Sequence, residues 1–175
     1  FTGTAYLVNS ALNISPQATG TATFRVTGPN STLSGNIAAA HTVWVNGNYT
    51  GGHTTLTAAT GFTNSGTIKI ESSDAGYQSN LVVTSGTLTN ATTGLISVNP
   101  GAGGPRTISA DLDNYGTVNI NTSTTFSRAN GSYTNSNTFS IAGGQTLTIS
   151  GASPAFHQNG GTIAVAGAFN MTSAT

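Results

Sequence analysis

A short phrase recurs along this chain at a nearly constant interval. It consists of an aromatic or aliphatic residue, any residue and Asn, then a short turn, then Gly-Thr-Ile/Val-x-Ile/Val. The clearest copies span 62–70, 88–98 and 112–120, and two looser copies span 133–141 and 158–165. The Asn residues of successive copies lie 21 to 26 positions apart. A period of this length favours a stacked repeat over a mixed globular fold.

Each period contains three short stretches in which apolar and polar residues alternate, which predicts three strands and no helix. In the clearest coil these stretches are 66–70, 81–84 and 87–90. Three short strands per coil describe an all-β fold, a single parallel β-helix (β-solenoid) whose coils stack at the strand spacing of about 4.8 Å. We expect about six or seven coils. The rule for parallel crossovers predicts that the β-helix is right-handed.

Strand alternation predicts which side chains fill the core of the solenoid. The inward set is Ile68, Ile70, Ile96, Val98, Val118, Ile120, Phe139, Ile141, Ile163 and Val165. Residues between them, such as Thr67, Lys69 and Ser97, are expected to face water.

The repeat assigns the whole chain, 1–175, to one β-solenoid domain. Residues 33–175 form the regular coils, whereas residues 1–32 form irregular or degenerate first coils whose strands the sequence does not place. Because the chain begins with Phe1, we expect an excerpt of a longer array or a unit that stacks into one. No apolar run approaches the roughly 20 residues of a transmembrane helix.

The recurring Asn predicts a ladder of stacked side chains at one turn of the coil. Its expected members are Asn36, Asn64, Asn90, Asn114, Asn135 and Asn159. Asn tolerates the left-handed backbone conformation that a tight turn between two strands needs. Stacked amides can also bond to the coils above and below, which satisfies buried polar groups.

This Asn turn followed by Gly-Thr-Ile/Val-x-Ile/Val resembles the coil of bacterial surface β-helices, namely autotransporter passengers and adhesins of the filamentous-haemagglutinin type. The resemblance covers roughly residues 33–175. It implies an exported protein, secreted or held at the cell surface, that serves as a rigid stalk or an adhesive surface. The same type of coil also underlies polysaccharide lyases and phage tailspikes, so the resemblance is specific for the fold rather than for an activity.

Composition excludes several classes of partner. Only 5% of residues are charged and the net charge is zero, so the chain lacks the Lys and Arg with which proteins neutralise nucleic-acid phosphates. Cysteine is absent, so neither disulfides nor a thiolate metal site can form.

The sequence offers little catalytic chemistry. The best candidate for a catalytic or Ca²⁺ site is Asp111 and Asp113, which flank Leu112, with Arg106 just upstream on a neighbouring strand. Two acids fall short of the six or more oxygens that Ca²⁺ takes. His41, His53 and His157 fall at different points of the repeat and predict no metal site. We therefore expect no catalytic residue, cofactor or metal, and a protein that is not an enzyme.

One surface pattern does repeat: the middle strand carries a hydroxyl, an apolar residue and another hydroxyl. The candidate binding face is Thr55, Thr57, Thr107, Ser109, Thr125, Ser127, Thr146 and Thr148, with a break at 81–84. Such an array could bind glycans or ice, or could simply reflect the preference of Thr for strands. The aromatic residues Trp44, Tyr49, Tyr77 and Tyr115 are further candidates for sugar contacts, but they form no evident row.

These observations predict a structural segment of a bacterial surface adhesin or extracellular fibre. No amphipathic helix or charged strand covers either terminus, so we expect neighbouring repeats or other copies of the chain to stack on the ends. The alternative is a glycan- or ice-binding module on the Thr/Ser face. A polysaccharide lyase or hydrolase ranks last, for want of acids and bases.

Overall fold

The computed structural model describes residues 3–173, which form strands and their connections without a helix. The first ten strands are β1 (Gly3–Val8), β2 (Ala11–Asn13), β3 (Ala22–Thr27), β4 (Ser31–Ser34), β5 (His41–Gly47), β6 (Thr54–Ala58), β7 (Phe62–Asn64), β8 (Thr67–Ser72), β9 (Ser79–Asn90) and β10 (Leu95–Val98). They are followed by β11 (Arg106–Asn114), β12 (Thr117–Ile120), β13 (Thr124–Ser127), β14 (Ser132–Asn135), β15 (Thr138–Ile141), β16 (Thr146–Gly151), β17 (Ala155–Gln158), β18 (Thr162–Val165) and β19 (Ala168–Ser173).

Two long sheets run the length of the molecule, and every ladder between named strands is parallel. The first sheet has eight strands in the order β1-β3-β5-β8-β10-β12-β15-β18. The second follows the order β2-β4-β6-β9-β11-β13-β16-β19. On a third face, β7 and β14 pair with the later halves of β9 and β11, and β17 pairs with β14. The predicted parallel β-solenoid is confirmed, with about seven turns.

The second and third strands of a coil are not always separate. The stretches 81–84 and 87–90, predicted as two strands, lie within the single strand β9. Strand β11 likewise runs through two faces, with a register shift in its pairing to β9 between Ser109 and Asp111. The shift lets one continuous strand turn the corner between the two faces, as bulges commonly do.

The core is a continuous apolar column inside the coils, as alternation predicts. Of the ten residues expected to point inward, the eight from Ile68 to Ile141 are buried. The last two depart from the prediction: Ile163 is only partly buried and Val165 is 46% exposed. Both belong to β18, which has a paired strand on one side only within residues 3–173. An inward direction therefore gives burial only where a further coil lies above.

The structure places strands in the first 32 residues, where the sequence pattern is weak. Strand β1 pairs with β3 without a break, from Gly3 opposite Ala22 to Val8 opposite Thr27. Strand β3 pairs in turn with β5, and β2 with β4. These segments belong to the same two sheets as the later coils, although they lack the Asn phrase.

In the clearest phrases, the Gly that opens the strand is required by close packing between coils. A Cβ added at Gly94 would collide with the carbonyl oxygen of Asn64, and one at Gly116 would collide with that of Gly94. Neither glycine has a positive φ. These glycines are therefore set by the approach of one backbone to the next rather than by conformational freedom.

The Asn ladder is present and buried. The side-chain Nδ2 of Asn64 donates to Oδ1 of Asn90 at 2.8 Å, Asn90 donates to Asn114 at 2.7 Å, and Asn114 donates to Asn135 at 2.7 Å. Each amide also donates to a backbone carbonyl of the next coil, for example Asn90 to Thr117 at 3.1 Å. The ladder therefore satisfies side-chain and backbone groups in the same column.

Two predicted members lie outside the column. Asn135 pairs with Gln158, whose Oε1 accepts its Nδ2 at 3.0 Å, and Asn159 is exposed. At the other end, Ile37 is bridged to Asn64, so Asn36 is exposed and its Oδ1 accepts the Thr63 N–H at 2.8 Å. In both coils a shift of one residue turns the side chain to the opposite face.

The absence of an Asn side chain at position 37 leaves one ladder atom without a partner. The Oδ1 atom of Asn64 is buried without a hydrogen-bond partner among the described residues, because the apolar Ile37 occupies the position beneath it.

The reason given for Asn at this turn was only half right. None of the four linked Asn residues has a positive φ; within residues 3–173 the non-glycine residues that do are Asn9, Asn130 and Ser153. The ladder amides are selected for their hydrogen bonds, not for tolerance of the left-handed conformation.

Replacing Asn90 by Ala should lower the free energy of unfolding by about 2 to 3 kcal/mol, since it removes the buried hydrogen bonds that Asn64 and Asn114 make with this amide and those it makes with backbone carbonyls. Asn159→Ala, outside the column and exposed, is the matched control and should change it by less than about 0.5 kcal/mol. Urea unfolding followed by circular dichroism measures both. Equal destabilisation by the two substitutions would contradict a ladder that ends at Gln158.

Candidate functional site

The predicted Thr/Ser array lies on the outer side of the second sheet and forms two columns, which we call the hydroxyl face. The first column runs through Thr55, Asn80, Thr107, Thr125, Thr148 and Asn170. The second contains Thr57, Val82, Ser109, Ser127, Ser150 and Thr172. Members of one column are about 4.8 Å apart, and the two columns are separated by two residues, or about 6.6 Å.

Strand register changes the membership of the hydroxyl face. Thr125 pairs with Thr148 and Ser127 with Ser150, so the equivalent of Thr125-Phe126-Ser127 is Thr148-Ile149-Ser150. Thr146, which was predicted to be in the array, lies two residues out of register and pairs with Ala168. The expected break at 81–84 is reduced to Val82, because Asn80 fills the first column.

The eight-stranded sheet carries a longer column of threonines that the sequence analysis missed. Its members are Thr4, Thr23, Thr42, Thr67, Leu95, Thr117, Thr138 and Thr162. Only Leu95 interrupts the hydroxyls. The signal was present in the Gly-Thr of each phrase, but its extension into residues 4–42 depends on pairings that the phrase does not mark.

Beside this column, aromatic and cationic side chains alternate from coil to coil. Tyr6 pairs with Arg25, Arg25 with Trp44, and Trp44 with Lys69. The Arg25 guanidinium lies 4.6 Å from the Trp44 ring centroid and 5.6 Å from that of Tyr6, and Lys69 Nζ lies 4.2 Å from Trp44. Each cation thus rests on an aromatic ring rather than on another cation.

The charged trio predicted around Asp111 does not assemble. Arg106 is only 2% exposed, and its guanidinium donates to carbonyls of the 99–105 loop, among them Gly103 at 2.8 Å and Gly104 at 2.6 Å. Burial lowers the pKa of Arg106, with Glu71 opposing the shift. Asp111 instead pairs with Arg128 at 3.3 Å and accepts the Ser132 N–H at 2.9 Å. Arg106 therefore fastens the loop onto its own strand.

The histidines lie apart: His41 begins β5, His53 directly precedes β6 in the same coil, and His157 lies on β17. His41 is buried, the Nδ1 of His53 accepts the Gln78 N–H at 3.1 Å, and His157 is exposed. Within residues 3–173, no three His, Asp or Glu side chains gather into a group that could hold a metal ion.

Tyr133 is the one buried phenol in the described chain. Its ring packs beside Phe126 at a centroid distance of 5.4 Å, and its hydroxyl finds no partner among residues 3–173. Burial raises the pKa of Tyr133 to about 12; the Asp111 carboxylate adds to the shift and Arg128 opposes it.

This shift makes the stability of the solenoid depend on pH in the alkaline range. The unfolded phenol loses its proton near its ordinary pKa of 10, whereas the folded one keeps it to about 12. Stabilisation is complete below pH 10, and about 2 to 3 kcal/mol should be lost as the pH rises towards 12. Tyr133→Phe removes the titrating group and should show a smaller loss over that interval in urea unfolding. Identical pH profiles for parent and variant would contradict the assignment.

Comparison with known proteins gives no relative from which a function could be inferred. No family model matches the chain, and neither do the curated proteins or the solved structures. Over residues 3–173, the structure contains no helix of the length and apolarity needed to cross a membrane.

Proposed function

We propose that this chain is a rigid β-solenoid segment of a bacterial extracellular adhesin or fibre, secreted or displayed at the cell surface, whose ends stack on further coils. The observation that carries the proposal is the uncovered C-terminal coil. Strands β18 and β19 each have one unpaired edge within residues 3–173. In the same coils Val165 is 46% exposed, Met171 is exposed, and Ile163, Phe156 and Phe169 are only partly buried. An unpaired parallel edge beside apolar side chains is a template for another coil.

The low charge of the chain supports stacking. A net charge of zero gives no long-range repulsion between copies. The partner in this proposal is a further coil, either of a longer chain or of a second copy. The resemblance of the Asn phrase to bacterial surface β-helices supports an extracellular location.

The role proposed is mechanical rather than enzymatic, because most of the acidic side chains hold the fold together. Asp111 pairs with Arg128, Glu71 pairs with Lys69 at 3.0 Å, and Asp74 accepts the Tyr49 N–H at 2.7 Å.

End stacking predicts a contrast between two adjacent residues. Val165 pairs with Ile141 on the inward side of β18, whereas Ala164 pairs with the outward Ser140. Val165→Lys should place a charge in the stacking surface and abolish concentration-dependent association, while Ala164→Lys should associate like the parent. Sedimentation velocity and negative-stain electron microscopy over a concentration series measure the association. A parent chain that stays monomeric throughout, or a Val165→Lys variant that still forms filaments, would contradict end stacking.

A second candidate function rests on the corrected hydroxyl face. Its two columns lie on one sheet with fixed spacings of about 4.8 and 6.6 Å, which suits a surface that itself repeats, such as ice or an ordered glycan. All of its Thr and Ser side chains are half-buried or exposed, and buried apolar residues such as Ile108 and Phe126 hold the strands beneath them.

Binding by the hydroxyl face can be tested with a double substitution on this face and a control double substitution on the other sheet. Thr107→Tyr with Thr125→Tyr places two rings at adjacent coils of the hydroxyl face and should reduce binding at least tenfold. Thr117→Tyr with Thr138→Tyr does the same on the eight-stranded sheet and should leave binding unchanged. Inhibition of ice recrystallisation and retention on insoluble polysaccharide measure the two ligands. Equal loss in both double variants, or no binding by the parent, would reject this function.

A further inference from the structure

A cleft of about 280 Å³ lies on the outside of the first coils, away from the hydroxyl face. It lies between the aromatic–cation stack and the loops that follow β5 and β8. Its polar walls are formed by Tyr6, Arg25, Thr27, Asn48, Thr50 and Asp74. The volume is at the small end for ligand sites and suits one or two sugar rings better than a larger molecule.

The donor wall of the cleft is fixed in place. Arg25 Nε and Nη2 donate to Asn46 Oδ1 at 3.0 and 2.7 Å, and Nη2 also donates to Ser73 Oγ at 3.0 Å. The Trp44 ring lies against the guanidinium from the next coil. These contacts use one edge of the guanidinium, and Nη1 has no acceptor among the described residues. A cation held this way offers its remaining donors without an ordering cost on binding.

The acceptor wall is Asp74. Its Oδ2 accepts the Tyr49 N–H at 2.7 Å, so the carboxylate is oriented while Oδ1 has no donor within residues 3–173. Arg25 and Asp74 line the same cleft but form no ion pair with each other. A hydroxyl group both donates and accepts, so a polyol can bridge these two walls. An anionic ligand would meet the Asp74 carboxylate, which favours a neutral ligand.

The third element is an apolar platform at the rim. The Tyr6 side chain is 70% exposed although it lies on a strand, and the exposed Val8 extends the same edge. The face of an aromatic ring carries partial negative charge and attracts the polarised C–H groups on one side of a pyranose. Aromatic face, donor and acceptor together match the two sides of a sugar ring.

We infer that this cleft binds a neutral saccharide, with a pyranose stacked on Tyr6 and its hydroxyls bonded to Arg25 and Asp74. The stalk of the proposed function would then carry its own glycan site on the first coils. Tyr6 lies on β1, whose outer edge is unpaired within residues 3–173, so a coil stacked on that end would lie beside its ring. The inference is therefore tested in a chain that does not associate.

Trp44 is the only tryptophan of the chain and contacts Arg25, so its fluorescence reports on the cleft. The chain is titrated with a panel of neutral oligosaccharides (maltotriose, cellotriose, β-1,4-galactobiose and mannotriose), with glucuronic acid as the anionic comparison. We expect saturable binding of a neutral member, weakened at least tenfold by Tyr6→Ala and several-fold by Asp74→Asn. The matched controls are Tyr49→Ala, whose 82% exposed side chain lies outside the cleft, and Asp113→Asn; both should bind like the parent.

The same titrations in the Val165→Lys background separate this inference from end stacking, since that substitution blocks association through β18 and leaves the residues of the cleft unchanged. Far-ultraviolet circular dichroism confirms the fold of each variant. The inference is overturned if no neutral member of the panel changes the Trp44 signal. It is also overturned if Tyr6→Ala binds as tightly as Tyr49→Ala, or if glucuronic acid binds best.

Discussion

Parallel backbone pairing between successive coils is the interaction from which the rest of this solenoid follows. Each strand lies about 4.8 Å from its equivalent in the next coil, so each side chain contacts the side chain in the same position one turn away. The solenoid is therefore stabilised by columns of equivalent side chains that run through many coils, rather than by isolated pairs. Ile stacks on Val inside, Asn stacks on Asn at the turn, and Thr stacks on Thr outside.

The same constraint accounts for the scarcity of charge. A cation repeated in every coil would face a like charge at each step, which destabilises neighbouring strands. The chain uses few charges, and where two cations share a column, Trp44 separates Arg25 from Lys69. Buried Arg106 is accommodated differently, because the carbonyl groups of a returning loop surround it. Uncharged hydroxyl and amide groups therefore provide the solubility, because identical groups of this kind can stack in successive coils without repulsion.

Each column also shows where a repeated contact stops. The amide ladder ends where Ile37 replaces an amide, and there the buried Oδ1 of Asn64 has no donor among residues 3–173. The apolar column ends at Val165, which is 46% exposed because no strand within residues 3–173 pairs with the outer edge of β18. On the sides of the solenoid, by contrast, the backbone is paired above and below, which makes it a firm base for surface groups. Most of the hydroxyl face and the Arg25 strand β3 are such paired strands, whereas Tyr6 of the cleft lies on β1, which is paired with β3 alone.

Much of this protein was determined by its sequence alone, because a repeated phrase with alternating apolar residues has few ways to bury them. The fold class, the buried positions from Ile68 to Ile141 and the ladder from Asn64 to Asn135 could all be predicted, whereas the fusion of two predicted strands into β9 and into β11 could not. The register between strands of successive coils could not be predicted. Loops of different lengths separate the strands, so the repeated motif does not show whether two strands pair in register or are shifted by one or two residues. The tertiary structure thus decided that Gln158 rather than Asn159 continues the ladder, and that Thr148 rather than Thr146 joins the hydroxyl face. It alone brought Tyr6, Arg25 and Asp74 together from three coils, since only stacking places residues so distant in sequence around one cleft.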